Sequence, residues 1–375
     1  MSPVIQTLAD LVRINSVNSS YEGGPGEREI ATYVRRFFEV RDIEVWAQEV
    51  FPGRPNVIAR LPGQNPGRRI VLEAHTDTVS VKGMTVPPFD PVIREGRMYG
   101  RGSCDTKAGL ATMMHAVASL KEQGLTPPCE VLLAAVVDEE YSYRGVVKLC
   151  EGLRADAALV AEPTELRAVV ATKGVLRCRI VVHGKAAHSS KPHLGVNAIS
   201  GMARVIAAIE EDNARMMANR HPLVGHGTCN VGVIQGGVQV NFVPDRCAIE
   251  IDRRLLPGER ADDAVAHYRS LLAGISGIRA EVEEPLLLVD EALDTPVDAD
   301  VMKTAGRVLS ELGLDPSPCG VPFGCDASKL SRAGVPSLVF GPGSIDRAHT
   351  EDEYVELDQV EKAFEFQRRF LLTFA

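Results

Sequence analysis

The chain has 375 residues, of which 45% are hydrophobic and 24% charged, with a formal net charge of −9. This is globular composition, too long for one ordinary core, so about two domains are expected. The negative charge, with no basic run interleaved with aromatics, argues against nucleic acid or an anionic membrane surface as partner. No apolar run approaches the ~18 residues of a membrane span. Residues 1–14 lack the basic and apolar regions of a signal peptide, so a cytoplasmic protein is expected. The eight cysteines form no CxxC pair, and free thiols in a reducing compartment are expected.

In the first half, helices alternate with apolar strands. Apolar residues at helical spacing predict a helix over 27–40. Strands are predicted over 56–61 and 69–74, and a helix over 107–123 ended by Gly124. The nearly unbroken apolar run over 130–137 marks a strand buried on both faces, and 157–161 is another. Such alternation predicts an α/β sheet with helices on both sides.

From about Lys173 the texture changes. Strands over 175–182, 228–234, 246–254 and 278–288, with helices over 195–211 and 261–273, form a βαββαβ unit able to bury its own core. The α/β texture then returns, with a helix over 297–312, a strand over 335–340 and a closing helix over 357–374. The expected division is a discontinuous first domain, residues 1–173 and 289–375, with an inserted α+β domain of residues 174–288.

Five polar segments fall at the carboxyl ends of predicted strands, where ligands bind in open α/β sheets. His75-Thr-Asp77 follows the strand ending at Ala74, Glu139-Glu140 the strand ending at Val137, and Glu162 the strand ending at Ala161. Asp105 precedes a helix in a Gly-rich stretch, and His349 lies beyond the strand ending at Phe340. Each has an ordinary structural reading, such as a helix N-cap for Asp105. Five together at one sheet edge do not arise easily that way. Imidazoles with carboxylates suit zinc or a similar divalent ion. The carboxylates outnumber what one ion uses, which favours two metals bridged by a carboxylate. Of the adjacent glutamates, one would bind metal and the other hold a water as general base. Dinucleotide and serine-hydrolase readings lack their GxGxxG and GxSxG motifs.

At these residues the sequence resembles the zinc-dependent metallopeptidases that include acetylornithine deacetylase, succinyl-diaminopimelate desuccinylase, aminoacylase and carboxypeptidase G. The matching stretches include His75-Thr-Asp-Thr-Val79, Gly100-Arg-Gly-Ser-Cys-Asp-Thr-Lys107, Asp138-Glu-Glu140, Ala161-Glu-Pro-Thr164 and Ala187-His-Ser-Ser190. Gly195-Val-Asn-Ala198, Asn241-Phe-Val-Pro-Asp245, Leu256-Pro-Gly258 and Gly341-Pro-Gly-Ser344 follow in family order.

The resemblance implies a zinc-peptidase-like mixed sheet flanked by helices, with residues 174–288 as a lid and homodimerisation domain. It implies two zinc ions, with cobalt able to substitute: His75 and Glu162 on one, Glu140 and His349 on the other, Asp105 bridging. Glu139 would be the general base, and Asp77 would hydrogen-bond His75 and fix its ring. The Asp105–Thr106 peptide is expected to be cis. His188 would reach the partner subunit's active site and stabilise the oxyanion, while Asn241, Arg254 and a loop containing Gly324 would hold substrate. Strand alternation agrees in part, since Arg254 shares the more polar face with Glu250 and Asp252; local pairing with either is the competing reading.

The implied reaction is amide cleavage in a small N-acyl amino acid. Ala161-Glu-Pro-Thr-Glu-Leu166 and Gly341-Pro-Gly-Ser344 look nearest to acetylornithine deacetylase, with the desuccinylase close behind. The alternatives are a dipeptidase or carboxypeptidase of the same family, and a non-catalytic ligand-binding relative. Three departures bear on acyl specificity: Lys107-Ala-Gly109 in place of Lys-Gly-Gly, the bulky Tyr141-Ser-Tyr-Arg144, and Phe323-Gly-Cys-Asp326.

Overall fold

All eight residues of Cys129–Val136 are buried, as an unbroken apolar run requires of a strand covered on both faces. The computed structural model describes all 375 residues and sets this strand inside an eight-stranded mixed sheet. Its parallel neighbour is Asn65–His75, followed in parallel by Ala157–Val160 and then Ser337–Val339. On the other flank Arg54–Leu61 and then Glu44–Phe51 pair antiparallel. Register decides what this sheet can do. His75 stands opposite Val136, and Glu73 opposite Val160. The three strands therefore end together, and Asp77, Asp138 to Glu140, and Glu162 leave the sheet along one edge.

Helix Lys107–Glu122 packs against this sheet, the closing helix Leu357–Thr373 and the first helix Pro3–Arg13. Its Leu110, Met113, Met114 and Leu120 are fully buried, each contributing about 1.5–3 kcal/mol by leaving water. Gly109 permits the close approach: a Cβ there would lie 2.5 Å from Cβ of Ala161. The segment leading from strand Ala157–Val160 to Glu162 and the helix following Asp105 are thereby held together. Helix Pro3–Arg13 and strand Glu44–Phe51 are additions to the sequence reading.

The chain forms two units: residues 1–170, 295–319 and 325–375, and residues 171–294 with 320–324. Segment 320–324, which follows the second unit by about 25 residues in sequence, clusters with it. That unit is an antiparallel sheet in the order Thr228–Gly236, Arg246–Leu255, Gly174–His183, Arg279–Val282, with Leu288–Asp290 also on Gly174–His183. Helices Ala198–Met216 and Ala261–Ala273 contribute Met202, Val205, Ile209, Val265 and Tyr268 to a core with Cys178, Ile180, Cys247, Ile249 and Ile251. The strand expected over 278–288 is two pieces instead. Pro285 lies between them and has no N–H for a ladder. All eight cysteines are free. No helix is long and apolar enough to cross a membrane.

Candidate metal centre

Asp105 turns its two carboxylate oxygens to two different imidazoles. Oδ1 lies 3.0 Å from Nε2 of His75, and Oδ2 lies 3.2 Å from Nε2 of His349. Nε2 of His349 is also 3.1 Å from Oε1 of Glu140. Two triads result, His75–Asp105–Glu162 and Asp105–Glu140–His349, each with one ligand atom per residue and those atoms within 4.8 Å of one another. Asp105 is common to both. Glu139 belongs to neither, although it adjoins Glu140. Asp105 follows the Gly100–Cys104 loop, its peptide to Thr106 is cis, and His349 has a left-handed backbone with φ of 61°.

The electrostatics follow from crowding carboxyl groups out of water. Burial pushes Glu162 well above the ordinary carboxylate range, with Asp105 and Glu139 adding to it. Desolvation does the same to Glu139 and, with Asp105 nearby, raises Glu140 to about 7. Burial lifts Asp105 as well, but contact with His349 and His75 outweighs it and holds that carboxyl low. Burial opposes charge on His349, yet Asp105 and Glu140 raise its pKa to about 11. His75 is likewise raised, Asp105 overcoming its burial. Protons, or better, divalent cations, are what such a set of donors can hold. Two triads of nitrogen and oxygen around one shared carboxylate fit a pair of divalent cations.

Asp77 is placed beside His75 but does not hold it as expected. Nδ1 of His75 meets the main-chain carbonyl of Asp77 at 3.0 Å, while the Asp77 carboxylate is 3.7 Å away. That carboxylate instead accepts the main-chain N–H groups of Glu139 and Glu140, both at 3.1 Å. Glu353 was not anticipated from the sequence. Its Oε1 accepts the N–H groups of Cys104 and Asp105 at 3.0 and 3.1 Å, and its Oε2 accepts from Arg101 at 2.6 Å. Both side chains of that ion pair are buried, and the pair pins the loop that delivers the shared aspartate.

The four expected substrate residues lie in the second unit. His188 is exposed, with Nδ1 2.8 Å from Oγ of Ser190. Asn241 is brought beside it, its carbonyl accepting from the N–H of Ser189 at 3.0 Å. Arg254 donates from Nε to Asp252 at 2.8 Å, which is the local pairing weighed against a substrate role. Gly324 packs beside Asp290 and the Lys173 carbonyl.

The model of peptidase family M20/M25/M40 matches residues 71–373. The chain belongs to this family. Among M20 relatives, acetylornithine deacetylase of Myxococcus xanthus is 33% identical over 318 residues, covering 81% of this chain and 80% of that protein. The probable succinyl-diaminopimelate desuccinylase of Staphylococcus aureus strain MRSA252 is 27% identical over 392 aligned positions, covering 94% of this chain and 93% of that one. The solved structure of aminopeptidase PepT from Bacillus cereus superposes with a TM-score of 0.81 at 25% identity, covering 99% of this chain and 97% of that one. As an M20 member the chain is a metal-dependent amide hydrolase.

Proposed function

We propose that this M20 enzyme removes an acyl group from a small N-acylated amino acid, like the relatives named as acetylornithine deacetylase and succinyl-diaminopimelate desuccinylase. The observation that carries the reading is the shared Asp105 between two triads, with Glu139 adjacent and outside both. His75, Asp105 and Glu162 would hold one zinc ion, and Asp105, Glu140 and His349 the other. Bound there, the two ions would polarise the scissile carbonyl and acidify the water that attacks it. Glu139 takes the proton from that water as the oxygen adds to the carbonyl carbon. It returns the proton to the amide nitrogen as the C–N bond breaks and the amine leaves.

The substrate carboxylate docks against Arg254 near the Gly324 loop, which requires the guanidinium to be shared with Asp252; Asn241 precedes the opposite end of strand Arg246–Leu255, beside His188, and would meet substrate there. The partner subunit's His188 stabilises the oxyanion. Dimerisation through the second unit is supported by strand Thr228–Gly236, which ends its sheet, and by Val238 and Val240 just beyond it, 88% and 100% exposed. Sedimentation of the purified protein tests this; a lone monomeric species contradicts it.

Amine release from a panel of N-acetyl amino acids, N-succinyl amino acids and dipeptides tests the substrate class. Cleavage of an N-acyl amino acid in preference to every dipeptide is expected. The likeness to PepT favours a second reading, a peptidase, and preferential dipeptide cleavage would decide for it.

A further inference from the structure

The loop carrying Glu139 and Glu140 begins with Asp138 in a left-handed conformation, φ of 69°. Such a backbone persists only where its surroundings hold it. The surroundings come from the N-terminal segment. Asn18 is fully buried, and its side-chain amide donates to Oδ2 of Asp77 at 2.8 Å and to Oδ1 of Asp138 at 2.9 Å. Both carboxylates accept hydrogen bonds from the loop that carries the two glutamates. Asp77 accepts the N–H groups of Glu139 and Glu140, while Asp138 is further tied by Arg54 at 3.2 Å and by Ser142. Tyr21, three residues beyond Asn18, donates its hydroxyl to the Glu140 carbonyl at 2.9 Å. Glu140 is thus held at its N–H by Asp77, at its carbonyl by Tyr21, and at its carboxylate by His349.

Asn18 is itself fixed rather than adaptable. Its N–H donates to the Thr78 carbonyl at 3.0 Å, and its side-chain oxygen accepts from the N–H of Ser20 at 3.0 Å. With that oxygen engaged, only the NH₂ end faces the aspartates. The amide thus bridges two buried carboxylates that would otherwise repel each other.

We propose that Asn18, assisted by Tyr21, is a positioning residue for catalysis: it clasps the two aspartates that set the Glu139–Glu140 loop, and so aims the proton-accepting carboxylate of Glu139. This rests on Glu139 acting as the base. The clasp draws on residues 17–21, which precede the matched family segment starting at residue 71.

The test is steady-state kinetics on the N-acyl amino acid cleaved fastest, with metal in excess, comparing Asn18→Leu, Tyr21→Phe and Glu139→Gln. Asn18→Leu keeps the branched shape and removes the amide that donates to both aspartates. Its kcat is expected to fall roughly 10- to 100-fold with KM unchanged, and Tyr21→Phe to fall by a smaller factor with the same split. An apolar isostere that retains wild-type kcat overturns the proposal. So does a Tyr21→Phe change confined to KM, which stands as an independent readout if Asn18→Leu does not fold. Glu139→Gln separates the two readings. If it abolishes turnover while Asn18→Leu does not alter kcat, only the clasp fails; if it leaves turnover intact, the base assignment fails.

Discussion

The carboxylate of Asp77 lies 3.7 Å from Nδ1 of His75, while the Asp77 main-chain carbonyl lies 3.0 Å from that nitrogen. The ring is therefore oriented by backbone, and the side chain is released to hold the neighbouring glutamate loop. Asp77→Asn turns one acceptor into a donor aimed at N–H groups. It is expected to lower kcat about 10- to 100-fold, the range for groups that orient metal ligands, while the ring of His75 keeps its partner. The check is kcat alongside bound metal. A variant that loses metal and retains kcat when metal is restored would place the effect on His75 instead.

Glu139 and Glu140 are adjacent, yet only Glu140 belongs to a ligand triad. Glu139→Gln is expected to cost about 10²- to 10⁴-fold in kcat, the contribution of general acid–base catalysis, with bound metal unchanged. Glu140→Gln is expected to lower metal content first. Metal analysis of both variants, read beside activity, distinguishes the roles; a metal-depleted Glu139→Gln reverses them.

The buried pair of Arg101 and Glu353, 2.6 Å apart, holds the loop before Asp105. Glu353→Ala leaves the guanidinium without its partner and frees two N–H groups. A loss of about 3–5 kcal/mol in urea unfolding is expected, as for other broken buried pairs. A loss near zero would mean that water or a neighbour takes over.

Much of the centre was legible because strand ends are legible. His75, Glu139, Glu140 and Glu162 each follow an apolar run, and register brings those runs to one edge. Asn18 and Glu353 carry no such mark. They lie in irregular segments far along the chain from Asp138 and Asp105, and nothing periodic announces a contact across such separations. Strand Glu44–Phe51 escaped for a related reason. Its residues are exposed or half-buried on both faces, so no alternation of apolar and polar residues reveals it. Segment 320–324 joins the second unit from a distance in sequence, which a reading of contiguous texture does not detect.

His115 offers a pH dependence away from the centre. Burial, with Arg41 adding to it, pushes its pKa from 6.5 down to about 4, while Nε2 sits 2.8 Å from Oγ1 of Thr7. The unfolded chain takes up this proton first as pH falls. The stability tied to neutral His115 is therefore complete above 6.5 and lost as pH drops toward about 4. His115→Gln should flatten the fall of the urea midpoint across that window. An unaltered fall would assign it to other groups.

Two cation sites joined at Asp105 would tie hydrolysis to metal content. The most direct measurement strips the protein with chelator, returns zinc in steps, and reads amine release against bound metal per chain. No release from the stripped protein and full activity at two zinc ions per chain are expected. Undiminished release after stripping, or saturation at one ion per chain, would contradict this.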